Sequence, residues 1–304
     1  MKVAICIMST MFQPSIRNNK AFKDTVVKYC NEQQDELKHQ YEFFFYYSNP
    51  EDNSVIKDND YPNVYHLYFD EHESVYRTFE KTRCCLKWIK DNHSPDVYVR
   101  TNISTYVNIN LLDSVIEHLD KDKVYCNRIN NHTNPTSAFF NDVYPRGDFM
   151  VFDESVVNAI DVCGLSYVSG GEKYDSVGVD HVDDCLIGVC MKDYYGAEYY
   201  SRLQCLKYNF VPDVEIDYTQ LFEYSIATRL KTCPPGACSG YSWNDNEYRL
   251  YDVNKFHFVH DKLSNITYGD VLIDDVCTYN VYQICTIESH NITTEQYKKY
   301  KSGC

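Results

Sequence analysis

Residue types able to do chemistry gather in a few short segments of this chain. Asp183-Asp184 stand side by side just ahead of an apolar helical pattern, Cys185–Lys192. A carboxylate placed there can take a proton from an attacking hydroxyl, or it can cap the helix, the commoner duty of Asp at a helix start. The local residues leave both open. Arg100-Thr101-Asn102 follow a strand pattern at Asp96–Val99, and a guanidinium at a strand end can grip a phosphate through two parallel hydrogen bonds. Ser9 and Thr10 end the first strand pattern in a similar way. Arg17 and Arg146 carry the same positive charge in settings that read better as solvated surface. His257 lies in an aromatic run, Phe256–His260, where a lone His reads as a hydrogen-bonded structural residue. Cys233-Pro-Pro-Gly-Ala-Cys238 reads as a loop disulfide or two free thiols ahead of a zinc half-site, because no matching second pair is visible.

The scaffold for these segments can be read from hydrophobic spacing. Val3–Met8 is an apolar run of strand length, Phe22, Val26, Tyr29, Cys30, Gln33 and Leu37 recur at helical spacing, and Tyr41–Tyr47 is an aromatic run of buried-strand type. Asn63–Phe69 predicts a third strand. Ser74–Lys90 predicts a helix with Val75, Phe79, Thr82, Leu86 and Ile89 on one face. Lys123–Arg128 and Asp148–Phe152 read as strands, Glu154–Cys163 as a short helix, and Tyr167–Asp180 as a Gly-rich loop. The C-terminal part reads as aromatic strands and polar turns around Trp243 and Phe256–His260. Alternating strands and helices give an α/β class with a mixed sheet, helices on both faces and an irregular C-terminal region, over one domain. Such sheets bind ligands at the carboxyl ends of their strands, where Arg100 to Asn102 fall.

Composition narrows the partners. With 29 Lys and Arg against 44 Asp and Glu the net charge is −15, which argues against a nucleic-acid backbone as ligand. A 44% hydrophobic fraction with 29 Tyr supports a sizeable core. No stretch approaches the roughly 20 apolar residues of a spanning helix, and the first strand pattern lacks a small-residue cleavage site before Gln13-Pro14. The 14 Cys include Cys84, Cys85, Cys126 and Cys190 inside apparent strands and helices, where Cys acts as a small buried hydrophobe and reduced thiols are expected. Asn-x-Ser/Thr sequons at Asn102, Asn131, Asn265 and Asn291 speak for a secreted, disulfide-rich protein instead. The expectation is a cytoplasmic protein.

The segment ESVYRTFEKTRCCLKWIKDNHSPDVYVRTNISTYVN, from Glu73 to Asn108, resembles the middle of the β-1,3-glycosyltransferases of the Fringe and galactosyltransferase type. Lys81-Thr82, Lys87-Trp88, Val97–Val99, Arg100-Thr101 and Tyr106-Val107-Asn108 occupy the matching places. Tyr144-Pro145 with Gly147 is similar to the family's Tyr-Pro…Gly segment, Val182-Asp183-Asp184-Cys185-Leu186-Ile187-Gly188 to its Asp-Asp-Cys-x-Val-Gly, and Phe256-His257-Phe258-Val259-His260 to its Phe-His-x-His. The resemblance implies a GT-A, Rossmann-like fold with a nucleotide-sugar half at residues 1–130 and an acceptor half at 131–304. It further implies inverting transfer from a nucleotide sugar, most often UDP-linked, to a glycan hydroxyl, with Asp184 as base and Asp183 and Gly147 in support. Ser9, Thr10, Arg17, Lys81, Arg100, Thr101, Asn102 and Ser104 are the donor-side candidates. The family holds a divalent cation, usually manganese, with Asp-Asp-Asp; here Asn102-Ile103-Ser104 stand in its place, so metal dependence is doubtful and His257 is left as a weak anchor. Retention of Asp184 favours the enzyme, and loss of that triad favours a rival, a non-catalytic nucleotide-sugar or glycan-binding protein. Set beside the family's membrane-anchored Golgi members, the resemblance implies a viral or microbial enzyme.

Overall fold

The computed structural model describes residues 1–49, 51–70, 78–131, 143–168, 183–210, 224–230 and 249–280. Strand β1 (Lys2–Met8) lies at the middle of the main sheet, parallel to β2 (Gln40–Ser48) on one side and to β5 (Val97–Asn102) on the other. Beyond β2 come parallel β4 (Val64–Phe69) and the antiparallel edge strand β3 (Val55–Lys57). Beyond β5 come antiparallel β10 (Phe149–Phe152), then β7 (Val124–Cys126), β11 (Leu203–Leu206) and β14 (Cys277–Asn280). Among the described residues this is a mixed sheet of nine strands. A small sheet joins β12 (Tyr208–Phe210), β13 (Ala227–Arg229) and β6 (Thr105–Val107), and β8 (Ile129–Asn131) pairs with β9 (Val143–Pro145).

The central strands are apolar on both faces because helices cover both. Val3, Ile5, Ile7, Phe43 and Phe45 pack with Phe22 of α1 (Gln13–Phe22), Leu111 and Leu112 of α4 (Ile109–Val115) and Phe256 and Val259 of α7 (Arg249–Leu263). Ala4, Cys6, Phe44 and Tyr46 face Phe79 and Leu86 of α3 (Thr78–His93), Val157 and Ile160 of α5 (Glu154–Val168) and Leu186 of α6 (Asp183–Tyr195). The chain order reverses between β1 and β5, so their carboxyl ends border the crevice where open α/β sheets take ligands.

Several expectations needed correction. The first helix begins early, at Gln13 with Pro14 in its first turn, and continues through a π-helical turn at Lys23–Val27 into α2 (Lys28–Glu32). Strand β3 was not foreseen; all its residues are exposed, so no apolar alternation announces it. Phe256–His260 belongs to a helix, not a strand: Asp252, Lys255, Phe256, Val259 and Leu263 are buried at spacings of three and four. Helix α5 runs on to Val168, so Tyr167 is helical and buried, and residues 169–182 lie outside the described residues. Ser74, the Cys233–Cys238 pair, Trp243 and Asn291 also lie outside them. Among the described residues no two cysteines form a disulfide. No helix among the described residues is long and apolar enough to cross a membrane.

Candidate active site

Helix α6 starts with two carboxylates that turn to different partners. Asp183 is buried; its Oδ2 accepts from Thr82 Oγ1 at 3.1 Å and from Arg100 Nη2, while its backbone N–H donates to Thr78 Oγ1 at 3.2 Å. Its side chain is therefore an ion-pair partner and not the helix cap. Asp184 is half-buried: Oδ2 accepts from the Gly147 N–H at 3.1 Å and Oδ1 from the Cys185 N–H at 2.9 Å. Burial, and next the charge of Asp183, push the Asp184 carboxyl up to about 6 against the opposing pull of those N–H groups and of Arg100. A helix start alone would lower it. A carboxylate with this value is ionised near neutral pH yet more basic than an exposed one, which suits proton abstraction.

Arg100 was expected to reach a phosphate, and its place in β5 rules that out in this conformation. Its side chain is wholly buried, paired with Asp183, with Met8 Sδ 3.3 Å from Nη2. Burial works against its charge, but the Asp183 carboxylate overrides this and holds the guanidinium above its ordinary range. A buried guanidinium needs such a counter-charge.

Glycines let these pieces meet. A Cβ on Gly147 would lie 3.1 Å from Arg100 Nη1, 3.1 Å from Asp184 Cβ and 3.4 Å from Asp183 Oδ1. A Cβ on Gly188 would lie 2.4 Å from Tyr144 Cβ. The Tyr144-to-Gly147 segment thus packs along α6 itself, bringing two separately recognised sequence blocks into one contact.

Beside them lies a network that the sequence did not disclose. Asp148 is buried and bridges Arg229 Nη1, 2.8 Å from Oδ1, to Arg146 Nε, 2.8 Å from Oδ2; Asn127 Nδ2 adds a 3.4 Å bond. Burial favours the neutral acid, but Arg229, Arg146 and Arg100 outweigh it and lower the Asp148 pKa. Arg146, read as solvated surface, is instead half of this bridge, whereas Arg17 is exposed on α1 as expected. Strand β13 brings Arg229 opposite Thr105, whose Oγ1 lies 3.3 Å from Arg229 Nη1.

The Asn102-Ile103-Ser104 turn does not fit a hard cation. Asn102 Oδ1 already accepts from the Ser104 N–H at 3.0 Å and from Thr105 Oγ1 at 3.2 Å, and all three turn residues are buried. Manganese prefers carboxylate and other anionic oxygen ligands, and none stands here. His257 is exposed on α7 between the buried Phe256 and the half-buried Phe258. Among the described residues no cluster of His, Cys, Asp and Glu is grouped to hold a metal.

The remaining donor-side candidates are buried, Ser9, Thr10 and Thr101 at or near strand ends and Lys81 in α3. Ser9 Oγ donates to Asn19 Oδ1 at 2.9 Å, Thr10 Oγ1 lies 2.6 Å from Ser15 Oγ, and Lys81 Nζ donates to the Ser9 carbonyl at 3.0 Å. Thr101 Oγ1 donates to the Asp148 carbonyl at 3.1 Å. Their side chains brace the ends of β1 and β5 from within.

No protein-family model matches the chain, and no curated protein sequence does. Solved structures with a similar chain path include a glycosyltransferase involved in the glycosylation of the major capsid of PBCV-1, at 10% identity and TM-score 0.43 over 84% of this chain and 99% of that one. The galactosyltransferase LgtC in complex with donor and acceptor sugar analogs aligns at 12% identity and TM-score 0.47, over 88% of this chain and 97% of its own. At these identities residues do not correspond one to one, so the site rests on its own side chains.

Proposed function

We propose that this chain is a GT-A glycosyltransferase that moves a sugar from a nucleotide donor, UDP-linked in the enzymes its sequence resembles, to a hydroxyl of a glycan acceptor. Asp184 carries this reading. It is a partly exposed carboxylate near the crevice end of the sheet, held by the Gly147 and Cys185 N–H groups and raised to about 6. In the proposed single displacement the acceptor hydroxyl gives its proton to Asp184 as its oxygen bonds to the anomeric carbon. The bond from that carbon to the diphosphate oxygen breaks, the nucleoside diphosphate leaves with the electron pair, and configuration inverts. The buried Arg100–Asp183 pair holds the start of α6, and with it the base, against the sheet.

In this reading residues 1–130 seat the nucleoside of the donor beside Ser9 and Thr10, and residues 131–304 supply the acceptor side and border the departing diphosphate. Its place of action in this reading is the cytoplasm, where buried thiols such as Cys6 and Cys85 stay reduced. The saturated Asn102 turn favours a second reading, a binding protein that keeps the fold without turnover. The two part on one measurement. Wild type incubated with UDP-, GDP- and dTDP-sugars and a glycan panel, followed by mass and anomeric NMR analysis of products, is expected to yield an inverted glycoside. Donor binding without product from any acceptor or water would select the binding protein, and retained configuration would remove Asp184 from its role.

A further inference from the structure

Transfer from a nucleotide sugar needs positive charge at the departing diphosphate, and the turn at Asn102 supplies no metal ligands. Cationic charge nevertheless stands next to that turn. From Asn102 Oδ1 a hydrogen bond leads to Thr105 Oγ1 at 3.2 Å, and from there Arg229 Nη1 is 3.3 Å away. The Leu230 N–H also donates to the Ser104 carbonyl at 2.8 Å, so the end of β13 is fastened over the turn. Arg229 in turn shares Asp148 with Arg146. Two guanidinium groups thus flank one carboxylate, on side chains of which Arg229 is 13% and Arg146 43% exposed. The Asp184 carboxylate acts on Arg146 as well, and once it takes up the acceptor proton the two guanidinium groups are left with positive charge that a departing diphosphate can meet.

The chain position of Arg146 adds a second argument. It precedes Gly147, whose N–H holds Asp184 Oδ2. A single three-residue segment, Arg146-Gly147-Asp148, therefore carries a half-exposed cation, the brace of the base and the bridge to Arg229. In a displacement the attacking and leaving oxygens lie within a few bond lengths of one carbon, so a base and a cation held by one segment can serve the two ends of that reaction.

We propose that Arg146 and Arg229, bridged by Asp148, form the seat for the diphosphate of the nucleotide donor and take the part that acidic residues and a metal ion play elsewhere. The proposal rests on the transfer reading given above and specifies its donor chemistry. Arg146, being half-exposed, is the ligand-facing member, while Arg229 and Asp148 position it and supply field.

The test is calorimetric titration of the full chain with UDP, GDP and dTDP, and with uridine, in EDTA. Wild type is expected to bind one of the diphosphates without added metal. Arg146→Ala should weaken that diphosphate by about ten- to a hundred-fold, the worth of a charge-assisted bidentate contact, while uridine binding stays within about two-fold and the melting temperature holds. Arg146→Lys should recover part of the loss, as a point charge without the planar fork. Arg229→Lys, which keeps charge in the more buried position, should lose less than Arg146→Ala. Equal diphosphate affinity in Arg146→Ala, or diphosphate binding that appears only with manganese, overturns the seat and leaves the transfer reading standing. Absence of binding by any of these diphosphates to wild type, both in EDTA and in a repeat with manganese in its place, overturns both.

Discussion

The amide of Gly147 donates to Asp184 Oδ2 at 3.1 Å, and a methyl group on Gly147 would come within 3.1 Å of both Asp184 Cβ and Arg100 Nη1. The close approach that makes this hydrogen bond is thus tight for any residue with a Cβ. Gly147→Ala needs no forbidden backbone conformation, so its neighbours would yield by a few tenths of an ångström and move the Asp184 carboxylate. We expect about ten- to a hundred-fold lower turnover with a stability loss of about 1 kcal/mol, since small misplacement of a catalytic group is costly. Steady-state rates beside a thermal melt check this; unchanged turnover would detach Gly147 from the reaction.

Asp184→Asn separates base from cap. Asn caps a helix about as well as Asp, and its amide oxygen can still accept from Gly147. Turnover should fall by roughly a hundred- to ten-thousand-fold, the range of general-base assistance, with donor binding retained. Single-turnover transfer by the variant at the wild-type rate would sink the assignment.

Much of this constellation was legible as sequence blocks: Asp184, Gly147 and Tyr144 were each singled out, and the fold brings them together through α6 and β9. What a block cannot show is which side of its own backbone a partner lies on. Arg100 looked like a strand-end cation because its neighbours are polar, yet it is buried, and its counter-charge Asp183 is 83 residues away. Charged residues seldom bury without such a partner. The same holds for Asp148 and Arg229, joined only by the meeting of β13 with β6 and the chain ahead of β10. Phe256–His260 failed for a different reason, because a short apolar run fits a helix face and a strand alike.

The raised pKa of Asp184 makes two pH-dependent quantities move in opposite directions. Above about 6 the base is ionised, so the transfer rate should climb through that pH and then level off. Stability runs the other way. A carboxyl whose folded pKa exceeds its unfolded value of 3.8 binds the proton more tightly when folded, so its contribution is full below pH 4 and is lost as pH rises through about 6. Asp184→Asn should therefore melt higher than wild type at pH 8, by about 1–2 kcal/mol after allowance for partial exposure, with the gap closing towards pH 4. Melting curves of both proteins across this range decide it, and a variant less stable at pH 8 contradicts the electrostatics described here.

Gly188 should prove structural. A Cβ there would lie 2.4 Å from Tyr144 Cβ and 2.9 Å from its Cα, contacts no rotamer change can relieve. Gly188→Ala must part α6 from β9, and we expect a loss of at least about 1–3 kcal/mol, the scale of overpacking in a close-packed core. Denaturant titration measures it, and a midpoint within error of wild type would show that the two elements are not in this contact.

Asp183→Asn tests the ion pair behind the base. Asn removes the carboxylate but leaves Arg100 buried, and breaking a buried pair from one side typically costs about 3–5 kcal/mol because the remaining charge has no compensation. The loss would be far larger than for a helix cap, about 1 kcal/mol. The variant also reports on chemistry. The charge of Asp183 helps to raise Asp184, and Arg100, once freed of Asp183, opposes that rise more strongly. Both changes lower the Asp184 pKa, so the acid limb of the rate profile should move below 6 in whatever fraction of the variant folds. A mild stability change with an unmoved acid limb would mean that Asp183 is only the opening residue of its helix.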